Sequence, residues 1–135
     1  YDLYRLKNTE ELSQLAILSE KKESIKVLIE CADIQLKKSR DYQNPNSRIT
    51  QSDYYPRGVM SIMELINTKT IRLWSIIEAM ENDPDYEPNF ESIEDSLKDL
   101  INYASFAVAY SRGKIEGQKE DRDFLNREIV KGDDS

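Results

Sequence analysis

The chain has 135 residues, of which 33% are charged and 39% are hydrophobic, with only four glycines and four prolines. This length suffices for one domain with its own core, and this composition favours helices. A net charge of −7 argues against duplex nucleic acid as a partner, because counterion release needs a basic surface. With no histidine and one cysteine, the usual zinc ligand sets, Ser-His or Cys-His catalysis and an intrachain disulfide are excluded. Any catalysis here must use carboxylates.

The first helix is predicted near residues 9–39. Asn8 and Glu11 match a capping box at its start. Apolar residues then recur with a period of about 3.6, at Leu12, Leu15, Ala16, Ile25, Leu28, Ile29, Ala32 and Leu36. The period weakens in the SEKKES run at 19–24, where we expect the helix to break or turn. Cys31 lies beside the apolar face and is predicted to be buried.

Residues 37–58 have no helical period and contain two prolines and several turn formers, so they are predicted to form a loop. The segment brings arginines and tyrosines together, which suits a nucleobase and its phosphates. A polar loop that is pinned in place by its tyrosines explains the composition equally well. The residues concerned are Arg40, Asp41, Tyr42, Arg48, Tyr54, Tyr55 and Arg57.

A second helix is predicted near 59–81 and a third near 90–112, with Asn89 as the cap of the third. The second helix carries an apolar stripe of Val59, Ile62, Met63, Ile66, Leu73, Ile76, Ile77 and Met80. On its other side Glu64, Thr68 and Arg72 follow at i, i+4 and i+8, and Lys69 lies three residues before Arg72. The connection NDPDYEP at 82–88 is rich in turn formers.

The third helix has two different sides. The predicted core side contains Ile93, Leu97, Leu100, Ile101, Ala104, Ala107 and Val108. Glu91, Asp95, Asp99 and Asn102 lie opposite, with like charges at i, i+4 and i+8 that repel one another. Two explanations are open. Water, salt and the helix dipole can stabilise the acidic row, or a cation or an Arg and Lys cluster faces it.

The domain prediction is one helical domain over residues 1–112 and a charged tail over 113–135, partly helical or disordered. No apolar run approaches the roughly 20 residues of a membrane span, and the start YDLYRLKNTEE does not read as a signal sequence. We therefore expect a cytoplasmic protein with no membrane partner, in the host cytoplasm if it comes from a phage.

The helix YYPRGVMSIMELINTKTIRLWSI followed by NFESIEDSLKDLINYASFA resembles the phage and bacterial family called nucleotide modification associated domain 1. That family has a glycine-led helix with Lys and Arg near its middle, and an ESxEDTLxDLxNYA-like helix after it. The matching residues are Gly58, Lys69, Arg72, Glu91, Glu94, Asp95, Asp99, Asn102, Tyr103 and Ala104. The DYQNPN stretch at 41–46 is similar to the family's Asp-Tyr loop. The resemblance covers about residues 37–112.

More distantly, the pattern is similar to all-α nucleotide pyrophosphohydrolases of the MazG and dimeric dUTPase type, which hold Mg²⁺ on paired carboxylates and cleave between the α and β phosphates. Hard Mg²⁺ prefers such oxygen ligands, and the metal activates water while it neutralises phosphate charge. This chain departs from the ExxE and ExxD pattern: Asn67 follows Glu64 at i+3, and Ser96 stands where an acid is expected.

These resemblances imply an all-α, MazG-like helical bundle that is completed by oligomerisation, with Mg²⁺ as cofactor and a nucleotide or nucleotide-derived small molecule as ligand. The expected roles are Glu64 as catalytic base or ligand, Glu91, Asp95 and Asp99 as metal ligands, and Asp41, Tyr42, Lys69, Arg72, Asn102 and Tyr103 as nucleotide contacts. Three functions stay open. The first is a Mg²⁺-dependent nucleotide pyrophosphohydrolase, or an accessory of nucleotide metabolism and DNA base modification. The second is a non-catalytic binder that sequesters a nucleotide-derived defence signal. The third is a helical protein-interaction module.

Overall fold

A computed structural model describes residues 13–14, 16–17, 20–41 and 46–129, except for the side chain of Asp41. Within these residues three long helices form, α1 (Glu23–Asp41), α2 (Val59–Asn82) and α3 (Phe90–Ser111). A 3-10 turn over Gln51–Tyr54 precedes α2, and the described residues contain one isolated β-bridge and no strand. The all-α prediction is confirmed, and the ends of α2 and α3 lie within one residue of those predicted.

The chain divides near residue 43 into two units, and α1 belongs to the first. Lys22 is not helical, whereas Lys21 before it and Glu23 after it are, so the helix breaks inside the SEKKES run as predicted. The Lys22 carbonyl accepts from the amides of Ile25 and Lys26, which starts α1. Cys31 is buried, as predicted for a small apolar side chain. The capping box of Asn8 and Glu11 lies outside the described residues.

The second unit is built on a hairpin in which α2 and α3 pack against each other. The connection from Asp83 to Asn89 is short, which makes the two helices antiparallel neighbours. The Asn89 side chain accepts from the amide of Ser92 at 3.1 Å, so the predicted cap of α3 is confirmed. The core lies where the start of α2 meets the end of α3, and it contains Tyr55, Val59, Ile62, Tyr110 and Ile115.

The packed side of α3 differs from the predicted core side. Leu97 and Val108 are 47% and 50% exposed, whereas Asn102 is buried and Tyr103 and Phe106 pack against the core. The prediction that the Leu97 and Val108 side forms the core was therefore wrong. The cause is that α3 carries apolar residues on both sides, so that the partner helix, rather than the period, decides which side packs.

Residues 113–129 are held against the start of α2 by backbone hydrogen bonds and turns, and none of them is helical. The amide of Ser52 donates to the Glu116 carbonyl at 3.0 Å, and the amide of Val59 donates to the Phe124 carbonyl at 3.1 Å. The second bond satisfies one of the amides that a helix start leaves without an intrahelical acceptor. This segment, called the C-terminal strap below, therefore completes the amino end of α2.

Candidate functional site

The candidate site is centred on an ion pair between the two hairpin helices. Lys69 Nζ of α2 lies 3.0 Å from Asp99 Oδ2 of α3, and the two side chains are 23% and 30% exposed. Both positions are fixed by long helices, and the Asn89 cap sets where α3 begins. The pair shows that Asp99, from the acidic row of α3, lies on the side that meets α2. At Asp99, therefore, Lys69 stabilises the acidic row of α3.

This ion pair sets the register of the two helices, and helical periodicity then locates their neighbours. Arg72 is one turn beyond Lys69, and Asp95 is one turn before Asp99, so both lie nearer the connection and on the same side of the hairpin. Both side chains are exposed, and no ion pair joins them. Glu91 is exposed a further turn along. The guanidinium of Arg72 is therefore open to an anion in solvent.

Glu64, the predicted catalytic carboxylate, pairs with Arg57 through Arg57 Nη2 and Glu64 Oε2. Both side chains are more than half exposed. The pair closes over the first turns of α2, because Arg57 stands just before the helix and Glu64 lies about one and a half turns inside it. Glu64 therefore has a structural partner of its own, and it is not joined to Lys69 or Asp99 by an ion pair or hydrogen bond.

The remaining predicted contacts fall into two groups. Asn102 is 5% exposed on α3, and Tyr103 is partly buried against the core, so neither presents an open side chain to solvent. Tyr42 and the side chain of Asp41 lie outside the described residues. Of the loop tyrosines, Tyr55 belongs to the core and Tyr54 is 69% exposed. The burial of Tyr55 in the core is explained if this tyrosine pins the loop in place.

The acids were also expected to hold Mg²⁺. In the described part of the chain, no group of three or more Asp, Glu or Cys side chains is arranged to hold a metal ion. Glu91, Asp95 and Asp99 occupy successive turns, and Asp99 is engaged by Lys69. These acids alone do not fit the oxygen-rich environment that Mg²⁺ prefers, so Mg²⁺ stays a prediction.

A separate cavity of about 260 Å³ lies between the 3-10 turn and the C-terminal strap. It is lined by Ser52, Asp53, Pro56, Gly117, Lys119, Arg122 and Asn126, and none of the predicted site residues reaches it. Sequence reasoning missed this cavity because its walls come from turns. The glycines at 113 and 117, both with positive φ, were the available signal that the chain turns back there.

Sequence reasoning also missed an exposed apolar face on α2. Met60, Met63, Ile71, Trp74 and Ile77 are each between 41% and 64% exposed. The signal was present in the sequence, because the apolar residues of α2 cover more than one side of the helix. A helix that is apolar on more than one side usually has more than one packing partner.

Comparison with protein-family models, with curated proteins and with solved structures gives no match. The fold defines the class of the protein, an all-α chain whose second unit is an antiparallel helical hairpin. Along the stretches that the structure describes, no helix is both long enough and apolar enough to cross a membrane.

Proposed function

We propose that this protein binds a nucleotide, or a molecule derived from one, on the side of the hairpin that carries Lys69 and Arg72. The supporting observation is the 3.0 Å ion pair between Lys69 and Asp99, because it brings the cations of α2 and the acidic row of α3 to one surface. Arg72 then supplies a planar guanidinium for phosphate oxygens, the group that best matches bidentate phosphate recognition.

The acidic side of the same surface suits the sugar of the ligand. Asp95 and Glu91 are exposed, and an ionised carboxylate is an acceptor for hydroxyl groups. A ligand with phosphate at one end and a hydroxyl-bearing sugar at the other therefore suits the arrangement across the hairpin, with cations on α2 and acids on α3. The role we propose is that of a nucleotide-binding protein of phage-type nucleotide metabolism or DNA base modification.

Hydrolysis is the second candidate within this function, and it would require Mg²⁺ and carboxylates beyond Asp95 and Asp99. Sequestration of a nucleotide-derived defence signal would use the same binding surface without cleavage. We also propose that the bundle is MazG-like and that a second copy completes it, because large apolar side chains remain exposed on α2.

The test is a panel of dNTPs, NTPs, cyclic nucleotides and ADP-ribose-type nucleotides, measured by thermal unfolding without metal and by chromatography with Mg²⁺. A bound nucleotide at 100 times its dissociation constant should stabilise the protein by about 2.7 kcal/mol. Arg72→Ala should remove this stabilisation, whereas Arg112→Ala, which removes another exposed arginine, should keep it.

Product that forms with Mg²⁺ and is lost in Asp95→Asn would establish hydrolysis. Asp95 is preferred to Asp99 for this variant because Asp99 also holds the ion pair to Lys69. Stabilisation without product would establish a binder. If no nucleotide in the panel stabilises the protein or is cleaved, the proposal is wrong.

A further inference from the structure

Five exposed apolar side chains lie on one face of α2, called the Trp74 face and made up of Met60, Met63, Ile71, Trp74 and Ile77, with the exposed Asn67 between Met63 and Ile71. Trp74 is 64% exposed and Ile71 is 58% exposed. At 100° per residue the five lie within about a third of the helix circumference. Ile62, Ile66 and Leu73, which are buried or partly buried, lie on the neighbouring side that meets α3.

The Trp74 face is too apolar for a surface that stays in water. Its five side chains expose on the order of 500 Å² of mostly apolar area, near the upper end of the largest patches on ordinary monomers. A standard interface buries about 800 Å² on each partner, with an apolar centre and a polar rim. The face therefore has the size of an interface centre, and its flanking polar residues can supply the rim.

Four of the five residues of the Trp74 face pair with one another across an antiparallel two-fold axis, and Ile71 has no partner within the face. If a second α2 is laid antiparallel across the point between Thr68 and Lys69, Met60 comes opposite Ile77 of the partner subunit. Met63 comes opposite the partner's Trp74 in the same register, and Asn67 comes opposite the partner's Thr70. Self-complementarity of one patch is what a two-fold dimer requires. A Met beside a Trp is a favourable sulfur–aromatic contact, and a polar pair at the centre fixes register.

The charges at the two ends of α2 favour the same antiparallel arrangement. Arg57 stands at the amino end, where it is more than half exposed, and Glu78 and Glu81 are exposed near the carboxyl end. In an antiparallel pair the ion pair of Arg57 and Glu64, which is neutral overall, approaches the acidic end of the other helix. A parallel pair would bring the acidic ends together, where like charges repel.

We propose that two copies of this chain associate through the Trp74 face, with α2 packed antiparallel against α2 of the second copy. This inference deepens the self-association proposed above, and it is independent of nucleotide binding. It assigns Trp74 and Met63 as the anchor of the interface. Phe90 and Val108 of α3, although exposed, lie on the other helix and take no part in it.

Trp74 is the single tryptophan of the chain, so its fluorescence reports on this face in the unmodified protein. Dilution from high concentration should shift the Trp74 emission to the red as the dimer dissociates. Sedimentation over the same range should show the mass fall from twice that of the chain to that of the chain.

Trp74→Glu should weaken association at least tenfold. Phe90→Glu is the matched control, since it places the same charge at an equally exposed aromatic position on α3, and it should leave association unchanged. Circular dichroism establishes that each variant keeps its helices.

Each other outcome overturns the inference in a distinct way. A monomer at every concentration would remove both the interface and the self-association proposed above. A dimer that persists in Trp74→Glu would place association on another surface. A monomer whose Trp74 emission is blue-shifted and does not change with dilution would show that the face is covered within one chain. None of these outcomes touches the nucleotide panel, so the two proposals fail separately.

Discussion

The ring of Tyr55, just after the 3-10 turn, meets the ring of Tyr110, at the end of α3, edge to face. The centroids are 6.4 Å apart and the planes are inclined at 79°. This geometry suits the aromatic quadrupoles. Tyr55 also accepts a hydrogen bond from Gln51 Nε2 at 3.2 Å. The pair joins the segment before α2 to the last turn of α3, and so closes the core end of the hairpin.

Both rings make the protein sensitive to alkali. Burial is the main cause that raises the pKa of Tyr55 and of Tyr110 above the usual value near 10. A group whose folded pKa is raised stabilises the fold fully below its unfolded pKa, and that stabilisation is lost as pH rises through the folded pKa. We expect Tyr110→Phe to flatten the loss of stability above pH 10, measured by urea unfolding. Tyr54→Phe, at an exposed ring, should leave the alkaline limb unchanged.

Acid should loosen the C-terminal strap. The pKa of Asp123 is lowered mainly by the hydrogen bond that its carboxylate accepts from the backbone amide of Arg127, helped by those from the Arg127 side chain and the Leu125 amide. The resulting stability is present above the unfolded pKa near 4 and is lost as pH falls through the lower folded pKa. Asp123→Asn should flatten the acid limb of the unfolding free energy. Asp85→Asn, at an exposed acid of the connection, serves as control, and equal slopes for both variants would contradict the assignment.

The Lys69–Asp99 ion pair should show measurable coupling. We expect a double-mutant cycle of Lys69→Met and Asp99→Asn to give about 1 kcal/mol, because both side chains are largely shielded from solvent. The same cycle for Arg57 and Glu64, both more than half exposed, should give about 0.5 kcal/mol or less. Urea unfolding of the four proteins in each cycle measures both energies. Equal coupling in the two cycles would argue against shielding as the cause.

Ile62 should dominate the stability of the second unit. It is fully buried, and Ile62→Ala removes buried methyl groups and leaves a cavity, which costs about 2–5 kcal/mol. Ile49→Ala is the matched control at a 65% exposed isoleucine before the 3-10 turn, and it should change stability by about 0.5 kcal/mol at most. Thermal unfolding of both variants checks the contrast, which a small effect at Ile62 would refute.

Alanine substitutions at three glycines with positive φ can separate the cost of backbone strain from the cost of steric overlap. Gly58, Gly113 and Gly117 have φ of 62°, 71° and 84°. A Cβ at Gly58 would overlap the Phe124 carbonyl and one at Gly117 would overlap the Thr50 side chain, whereas a Cβ at Gly113 meets nothing. Gly113→Ala should cost about 1–2 kcal/mol from backbone strain alone. Gly58→Ala and Gly117→Ala should cost more, and equal losses at all three positions would show that the strap shifts freely.

The helices could be predicted because their signals are local. The 3.6-residue period located α2 and α3, and Asn89 marked the start of α3, since a cap bonds within its own first turn. The packed side of α3 could not be predicted in this way, because Leu97 and Phe106 are both apolar and lie on different sides. The choice between them depends on which side α2 meets, and that is a tertiary effect.

The candidate site, like the fold, could be predicted from the sequence only in part. The sequence left open whether an Arg and Lys cluster faces the acidic row of α3, and the contact of Lys69 with Asp99 is such an arrangement at one position. The pairing of Glu64 with Arg57 was not expected, because Arg57 was assigned to a loop without a defined direction. The strap was missed because it is held by backbone hydrogen bonds such as that from Ser52 to Glu116, which leave no hydrophobic period.

The hydrogen bond from the Val59 amide to the Phe124 carbonyl has a consequence for how the chain is made. Phe124 follows the end of α3 in the sequence, so the acceptor of the Val59 amide is synthesised after both helices of the hairpin. Contacts between residues so far apart in sequence form late and slowly. We therefore expect the core end of the hairpin, around Ile62, to close last, and to be open to a chaperone or a second nascent chain until the segment with Phe124 has been made.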